Sequence, residues 1–92
     1  MLEKVKLALR ITTTAFDSEI NDLIEAALAD LGIAGVSTLT ETDPLIIRAV
    51  TTYCRVNFGQ PDDYDRLKLA YDEQKAQLQM ATGYTDWGQD NG

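Results

Sequence analysis

The sequence predicts an all-α protein, a single small domain of about four helices in a bundle-like arrangement with an extended C-terminal tail. Apolar residues recur at the three- and four-residue spacing of amphipathic helices through most of the chain. Capping residues, glycine and proline separate these segments. The length of 92 residues fits one compact domain. We place the helical domain at residues 1–83 and the tail, which we expect to be flexible or partner-bound, at residues 84–92.

A short first helix is predicted at residues 2–10. Its apolar positions follow helical spacing and are Leu2, Val5, Ala8 and Leu9. We expect Lys4, Lys6 and Arg10 to surround that apolar face. A helix of fewer than roughly 12 residues is marginal in water on its own. The first helix must therefore dock on the rest of the domain.

The second helix is predicted at about residues 15–31. Thr14 stands three residues before Asp17, which is the pattern of an N-cap with an acidic partner. Gly32 is the expected left-handed cap, with Ile33 placed for the accompanying hydrophobic contact. The apolar stripe of this helix consists of Phe16, Ile20, Leu23, Ile24, Ala27, Leu28 and Leu31.

The opposite face of the second helix is acidic and has no basic residue. Its members are Asp17, Glu19, Asp22, Glu25 and Asp30. One interpretation is an ordinary solvated face. The other is a surface that binds a basic partner surface, such as that of a neighbouring copy, and for this we single out Asp22 and Glu25.

An ordered loop and a central helix are predicted next. Residues 33–43 lack a helical period, and Val36 and Leu39 are expected to turn inward. Asp43 is a capping carboxylate and Pro44 suits the first helical position. Apolar residues then almost surround the third helix, as expected at the centre of a core: Leu45, Ile46, Ala49, Val50, Tyr53, Cys54 and Val56. Its remaining polar stripe holds Arg48, Thr51, Thr52 and Arg55.

The fourth helix is predicted from Asp62 and Asp63 to about Ala81, after Phe58 and Gly59 end the third. One face is apolar except where Gln74 interrupts it, and its members are Tyr64, Leu67, Tyr71, Leu78 and Ala81.

The residue types present argue against an enzyme. The chain has no histidine, which removes the commonest general base and metal ligand. Its one cysteine, Cys54, lies in an apolar run and is interpreted as a buried small hydrophobe. Asp62, Asp63 and Asp65 lack the glycine and terminal glutamate of a calcium loop, so their acidity is attributed to a helix start. We predict no catalytic residue, no cofactor and no metal site.

The formal net charge of −7 argues against a protein that grips nucleic-acid phosphates. An acidic surface could still line a passage through which DNA slides. No segment approaches the roughly 20 apolar residues of a membrane-spanning helix, so we expect no membrane contact and assembly in a cytoplasm-like compartment.

Two further features suggest contacts with other chains. Arg48 and Arg55 are seven positions apart and share a face of the third helix. They form either intramolecular salt bridges or contacts with the acidic helix of another subunit. Trp87 lies in a polar tail with Tyr84, and it either packs back onto its own domain or anchors on another chain.

Five segments, in this order and spacing, resemble the head–tail connector proteins of long-tailed phages, the small group also called DNA packaging proteins. They are residues 1–11, 16–27, 43–59, 64–78 and 80–84. The family often has a basic residue after the pair matched by Gln77 and Leu78, where this chain has Gln79.

The resemblance implies a structural subunit of a ring, most commonly dodecameric, in the virion at the capsid–tail junction. The ring would dock on the portal protein after packaging, extend the DNA channel and give the stopper or tail-completion protein a surface to bind. DNA would pass through without sequence-specific binding. An alternative from the helix lengths is a small DNA-binding packaging or regulatory protein with a helix-turn-helix, which the negative charge opposes.

Overall fold

Four α-helices make up most of the computed structural model, which describes residues 1–36, 43–58 and 62–80. They are α1 (Leu2–Leu9), α2 (Asp17–Ile33), α3 (Pro44–Asn57) and α4 (Tyr64–Met80). The described residues form no strand, so the all-α prediction is confirmed. The predicted tail, residues 84–92, lies outside the described residues, and the division of the chain at residue 83 stays a prediction.

α3 lies at the centre of the fold, as its apolar circumference predicted. It packs against α1, α2 and α4. Ile46, Ala49, Val50 and Cys54 on this helix are fully buried. Burial of a large aliphatic side chain contributes about 1.5–3 kcal/mol. α3 therefore supplies much of the apolar area that holds the other helices in place.

The start of α3 follows the sequence prediction. The Asp43 carboxylate accepts a hydrogen bond from the Leu45 N–H at 2.9 Å, and Pro44 occupies the first turn. Thr52, by contrast, was wrongly placed on the exposed polar stripe. It is buried, and its hydroxyl donates to the Arg48 carbonyl at 3.0 Å, which satisfies its polar atom inside the helix.

The start of α2 differs from the prediction, because Thr14 is not its N-cap. The helix begins at Asp17 after Phe16, which makes no side-chain capping bond. Asp17 instead directs its carboxylate to a lysine on α1. The chain before the helix is held by local bonds, since the Thr13 hydroxyl accepts from the Ala15 N–H at 3.2 Å.

The end of α2 lies later than predicted, because Gly35 and not Gly32 adopts the left-handed conformation, with a φ of 98°. The Val36 N–H donates to the Leu31 carbonyl and the Gly35 N–H to the Gly32 carbonyl, both at 3.0 Å. This is a Schellman cap. The buried contact is made by Val36 with Leu31, whereas Ile33 is 88% exposed.

α1 is attached by apolar contacts, including those of the partly buried Leu2 and Leu9, and by one ion pair. Val5 is fully buried. Lys6, predicted on the polar surround, is also buried, and its ammonium lies 2.7 Å from the Asp17 carboxylate. The prediction failed because α1 packs against both α2 and α3, which together cover more of a short helix than one stripe. A buried charge is tolerated here because it has an opposite charge beside it.

Polar contacts join α4 to the C-terminal part of α2. Asp30, predicted on the acidic face of this helix, directs its carboxylate into the fold, where it accepts from the Tyr71 hydroxyl at 2.5 Å and the Lys75 ammonium at 3.3 Å. The Tyr71 hydrogen bond lowers the pKa of Asp30, against the opposing effect of partial burial. The Gln79 amide also donates to the Ala34 carbonyl at 2.8 Å.

α1 ends on a residue with unusual backbone geometry. Arg10 has φ 60° and ψ 41°, the left-handed region, although it is not a glycine. Its N–H donates to the Leu7 carbonyl at 3.1 Å, and the Ile11 N–H donates to the Lys6 carbonyl at 3.0 Å. In this conformation the β-carbon of Arg10 lies too close to the following carbonyl oxygen, which is unfavourable by about 1–2 kcal/mol.

Replacing Tyr71 by Phe should lower the free energy of unfolding by about 1–2 kcal/mol at neutral pH, because Asp30 loses a hydrogen-bond donor. The lowered pKa of Asp30 means that this stabilisation is present above its ordinary pKa of 3.8 and is lost as the pH falls through the lowered value. Urea unfolding at several pH values would measure it. Tyr53→Phe is the control, and an equal loss in both variants would contradict the assignment.

Replacing Arg10 by Gly should raise the free energy of unfolding by about 1 kcal/mol, because glycine adopts positive φ without steric cost. Arg10→Ala removes the same side-chain charge but keeps the β-carbon, so it should give no such gain. Chemical denaturation of the two variants and the wild-type chain would separate the backbone effect from the charge effect. Equal stability of the Gly and Ala variants would show that the backbone is not strained.

Candidate interaction surfaces

An arginine-lined groove of about 410 Å³ runs between α3 and α4. α3 contributes Arg48 and Arg55 together with Thr51, which share a face at three- and four-residue spacing. α4 contributes Arg66 and Gln74 on the other side. The groove thus concentrates three cations on a chain whose net charge is −7. We call these lining residues the arginine groove.

The cations of the arginine groove differ in how they are engaged. Arg66 forms an ion pair with Asp63 one helical turn away. The Arg66 hydrogen bond lowers the pKa of the Asp63 carboxyl. Arg48 and Arg55 are exposed, and within the described residues neither has a carboxylate within ion-pair distance. The intramolecular salt bridges considered for this pair are therefore not formed by the described part of the chain.

Gln74 forms an unusual part of the same groove. Its Oε1 atom is buried and accepts no hydrogen bond from the described residues. A buried acceptor without a donor is unfavourable by about 1–3 kcal/mol. Gln74 interrupts an otherwise apolar helix face, which is the sequence signal for its presence here. The groove therefore offers a partner the exposed guanidinium donors of Arg48 and Arg55, beside a buried amide oxygen that no described group satisfies.

The acidic face of α2 is reduced by the fold to fewer residues than the sequence suggested. Asp17 pairs with Lys6, and Asp30 binds Tyr71 and Lys75. The remaining acids, Glu19, Asp22 and Glu25, are exposed, and no described cation pairs with them. We call these three residues the acidic face.

The acidic face and the arginine groove each lie on the side of their own helix that is turned away from the core. On α2 the fully buried residues include Ile20, and at about 100° per residue Asp22 and Glu25 lie on the opposite side of the helix. On α3 the same rule places Arg48 and Arg55 opposite Ile46. Each surface is therefore exposed, and no described ion pair joins the two within one copy.

A smaller pocket of about 300 Å³ lies where the ends of α1 and α3 meet the start of α4. Its rim carries Arg10, Arg55 and Asp63. The rest of its lining is apolar and consists of Ala8, Leu9, Phe58 and Leu67. Arg55 and Leu67 also line the arginine groove, so the two concavities adjoin. All four arginines of the chain therefore lie on one continuous surface. We call the smaller concavity the Arg10 pocket.

Two predicted contact residues, Tyr84 and Trp87, lie outside the described residues, so their roles stay predictions.

Among the described residues, no group of three or more acidic or cysteine side chains is arranged to hold a metal ion. The described helices are also too short or too polar for any of them to cross a membrane.

Comparison with known proteins assigns the chain to a family. The model of a family described as phage connector protein matches residues 1–85. The chain belongs to the phage connector protein family. Neither a search of curated proteins nor a search of solved structures found a match. The resemblance to head–tail connectors noted from the five sequence segments is thereby confirmed.

Membership of the connector family supports a structural role in phage assembly and makes the chain a component of the virion. It also implies assembly with portal or tail proteins of the phage. The candidate contacts Asp22, Glu25, Arg48 and Arg55 are all exposed, as a contact role requires.

Sequence reasoning missed three residues of these surfaces: Arg10, Arg66 and Gln74. Arg10 was interpreted as part of a solvated surround, although an arginine directly after a helix, where glycine is usual, was a usable signal. Arg66 could be placed only once the packing of α3 on α4 was known, because nothing in its local sequence relates it to Arg48 and Arg55.

Cys54 should be unreactive in the folded connector subunit, because burial raises the pKa of its thiol to about 12 and leaves almost no thiolate at pH 8. We expect a thiol reagent such as DTNB to label the native chain at least about 100-fold more slowly than the chain in denaturant. The Cys54→Ala variant gives the reagent background. Native labelling as fast as that of the unfolded chain would contradict the burial of this side chain.

Proposed function

We propose that the chain is the structural subunit of a head–tail connector ring, most simply a dodecamer, at the capsid–tail junction of a tailed phage. The ring docks on the portal protein, extends the DNA channel and gives a stopper or tail-completion protein its binding surface. Membership of the connector family over residues 1–85 carries this proposal. Its physical support is that the acidic face and the arginine groove are both exposed, and that no described ion pair joins them within one subunit.

Lateral contacts in the ring join the acidic face of one copy to the arginine groove of the next. At about 100° per residue, Arg48 and Arg55 lie within about 20° of each other around α3, and Asp22 and Glu25 within about 60° around α2. Asp22 and Glu25 can therefore face the guanidinium groups of one neighbour together. A contact between two different surfaces of identical subunits is head-to-tail, and it generates a ring when the rotation closes.

The net charge of −7 is consistent with a channel protein that DNA passes without binding. If the arginines are covered by neighbouring acidic faces, the assembled ring presents few free cations to the phosphates. The tail, with Tyr84 and Trp87, is then available to reach a neighbouring subunit or the portal.

The alternative, a DNA-binding packaging or regulatory protein, draws on the same arginine surface, because clustered guanidinium groups can also contact phosphates. A salt-dependent gel shift at low micromolar protein, lost in Arg48→Glu and Arg55→Glu variants, would favour this alternative over lateral pairing.

Charge reversal tests the lateral contact. Arg55→Glu and Glu25→Arg should each weaken assembly by at least about ten-fold, since each places like charges across the interface. The double variant restores opposite charges at every interface and should recover assembly. Ring formation would be followed by analytical ultracentrifugation at high concentration and by electron microscopy on purified portal particles.

Lys4→Glu and Glu73→Arg are matched controls, because they change the net charge equally at exposed positions outside both surfaces. They should assemble like the wild-type chain. Normal assembly of both single variants would overturn the lateral pairing. A wild-type chain that stays monomeric at high concentration and also fails to bind portal particles would overturn the connector role itself.

A further inference from the structure

We infer that the Arg10 pocket is the receptor for the Asp86–Trp87 segment of a second copy of this chain. This inference rests on the proposed lateral assembly and names a second contact within it. It draws on four observations: the chemistry of the pocket lining, the backbone of Arg10, the reach of the chain beyond α4, and the position of the pocket beside the arginine groove.

The lining of the Arg10 pocket fits an aromatic residue with an acidic residue next to it in the sequence. The apolar residues Leu9, Phe58 and Leu67 provide the contact area that a large ring requires. Arg10 and Arg55 at the rim provide the cations that bind the face of an indole, which is the best aromatic partner for them. The Asp63 carboxylate provides an acceptor for the indole N–H.

The Asp86–Trp87 segment matches this lining. Trp87 is the one tryptophan of the chain, and the neighbouring Asp86 supplies a carboxylate for a guanidinium group. Residues 81–92 contain two acids, Asp86 and Asp90, and no basic residue. Their charge is therefore opposite to that of the two arginines on the pocket rim.

The backbone of Arg10 supplies an independent reason to assign a function to its side chain. A non-glycine residue at φ 60° is unfavourable where glycine would be relaxed. Strain of this kind is concentrated at functional sites, where a side chain is needed despite its conformational cost. Arg10 has no carboxylate partner within ion-pair distance among the described residues, so its guanidinium group is available at the pocket rim.

The reach of the chain favours a neighbouring copy as the source of the segment. α4 runs from the pocket, at Leu67, to Met80, and covers about 20 Å on the way. Trp87 follows Met80 by seven residues, which span at most about 25 Å when fully extended. The same copy could therefore fill its own pocket only with its tail almost fully extended back along α4.

In the proposed lateral contact, the tail of a neighbouring copy reaches the Arg10 pocket without being fully extended. The hydrogen bond from Gln79 to the Ala34 carbonyl fixes the end of α4 beside the end of α2. Ala34 lies within about 15 Å of Glu25 along α2. A neighbour whose acidic face covers the arginine groove therefore has the end of its α4 within about 15 Å of that groove, which adjoins the Arg10 pocket.

Fluorescence of Trp87 tests the contact in the full-length chain, because no other tryptophan contributes. We expect the emission maximum of the wild-type chain to move to shorter wavelength as protein concentration rises. Arg10→Gly and Arg10→Ala should both shift this transition to about ten-fold higher concentration. Lys4→Ala on the same helix and Gln89→Ser in the tail are the controls and should behave as wild type.

Mixing two variants tests whether the contact joins different copies. Arg10→Gly keeps its tail but has a defective pocket, and Trp87→Ser keeps its pocket but lacks the indole. At a concentration where the wild-type transition is complete and that of Arg10→Gly has not begun, neither variant alone should form this contact. Their mixture should recover the blue shift, which reports the Trp87 of one variant inserted in the pocket of the other, and should form one-to-one pairs by native mass spectrometry.

The outcomes separate this inference from the connector role. Emission that is blue-shifted at every concentration and unaffected by mixing would mean that each tail fills its own pocket, which overturns the inference. Emission typical of exposed indole at all concentrations, while the wild-type chain still forms rings on portal particles, would overturn the inference and leave the connector role standing. Loss of the shift in Arg10→Gly despite its greater stability would exclude misfolding as the cause.

Discussion

Burial of α3 is the constraint on which the rest of the structure depends. Its apolar residues occupy most of the helix circumference, so no single neighbouring helix can cover them. α1, α2 and α4 each cover part of the apolar surface of α3, and the small domain therefore has one continuous core. The narrow stripe that remains uncovered contains Arg48 and Arg55. The position of the arginine groove therefore follows from the need to bury the opposite side of the same helix.

Polar contacts hold the helices where the apolar area is insufficient. α1 is only eight residues long, and the ion pair of the buried Lys6 with the half-buried Asp17 fixes it against α2. The contact of Asp30 with Tyr71 and Lys75 does the same between α2 and α4. Because these contacts use two of the acids on α2, they divide that helix into a structural part and the exposed acidic face.

The surface of the subunit is unusual for the separation of its charges. Although the chain is strongly acidic, all four of its arginines line two adjoining concavities. The exposed acids of α2 line neither of them. Arg10, Arg48 and Arg55 have no ion-pair partner among the described residues, which is consistent with a surface whose charges are neutralised by a partner and not by the subunit itself.

Local sequence determined the features of this protein that depend on neighbours along the chain. The four helices, the Asp43–Pro44 start of α3 and the central place of α3 follow from capping chemistry and apolar periodicity. Periodicity fails where two elements cover one residue, so the burial of Lys6 and Thr52 was not predictable from spacing. The end of α2 was misplaced for a related reason: two glycines were available, and the buried contact of Val36 with Leu31 selected Gly35.

The surfaces depended more strongly on tertiary structure. Sequence alone indicated Arg48 and Arg55, because two residues seven apart share a helix face. Only the packing of α4 on α3 brought Arg66 and Gln74 to that face, and only the docking of α1 brought Arg10 to the adjoining pocket. These residues are far apart in the chain, and the free energy that places them together comes from burying the apolar sides of their helices, not from any interaction among the residues themselves.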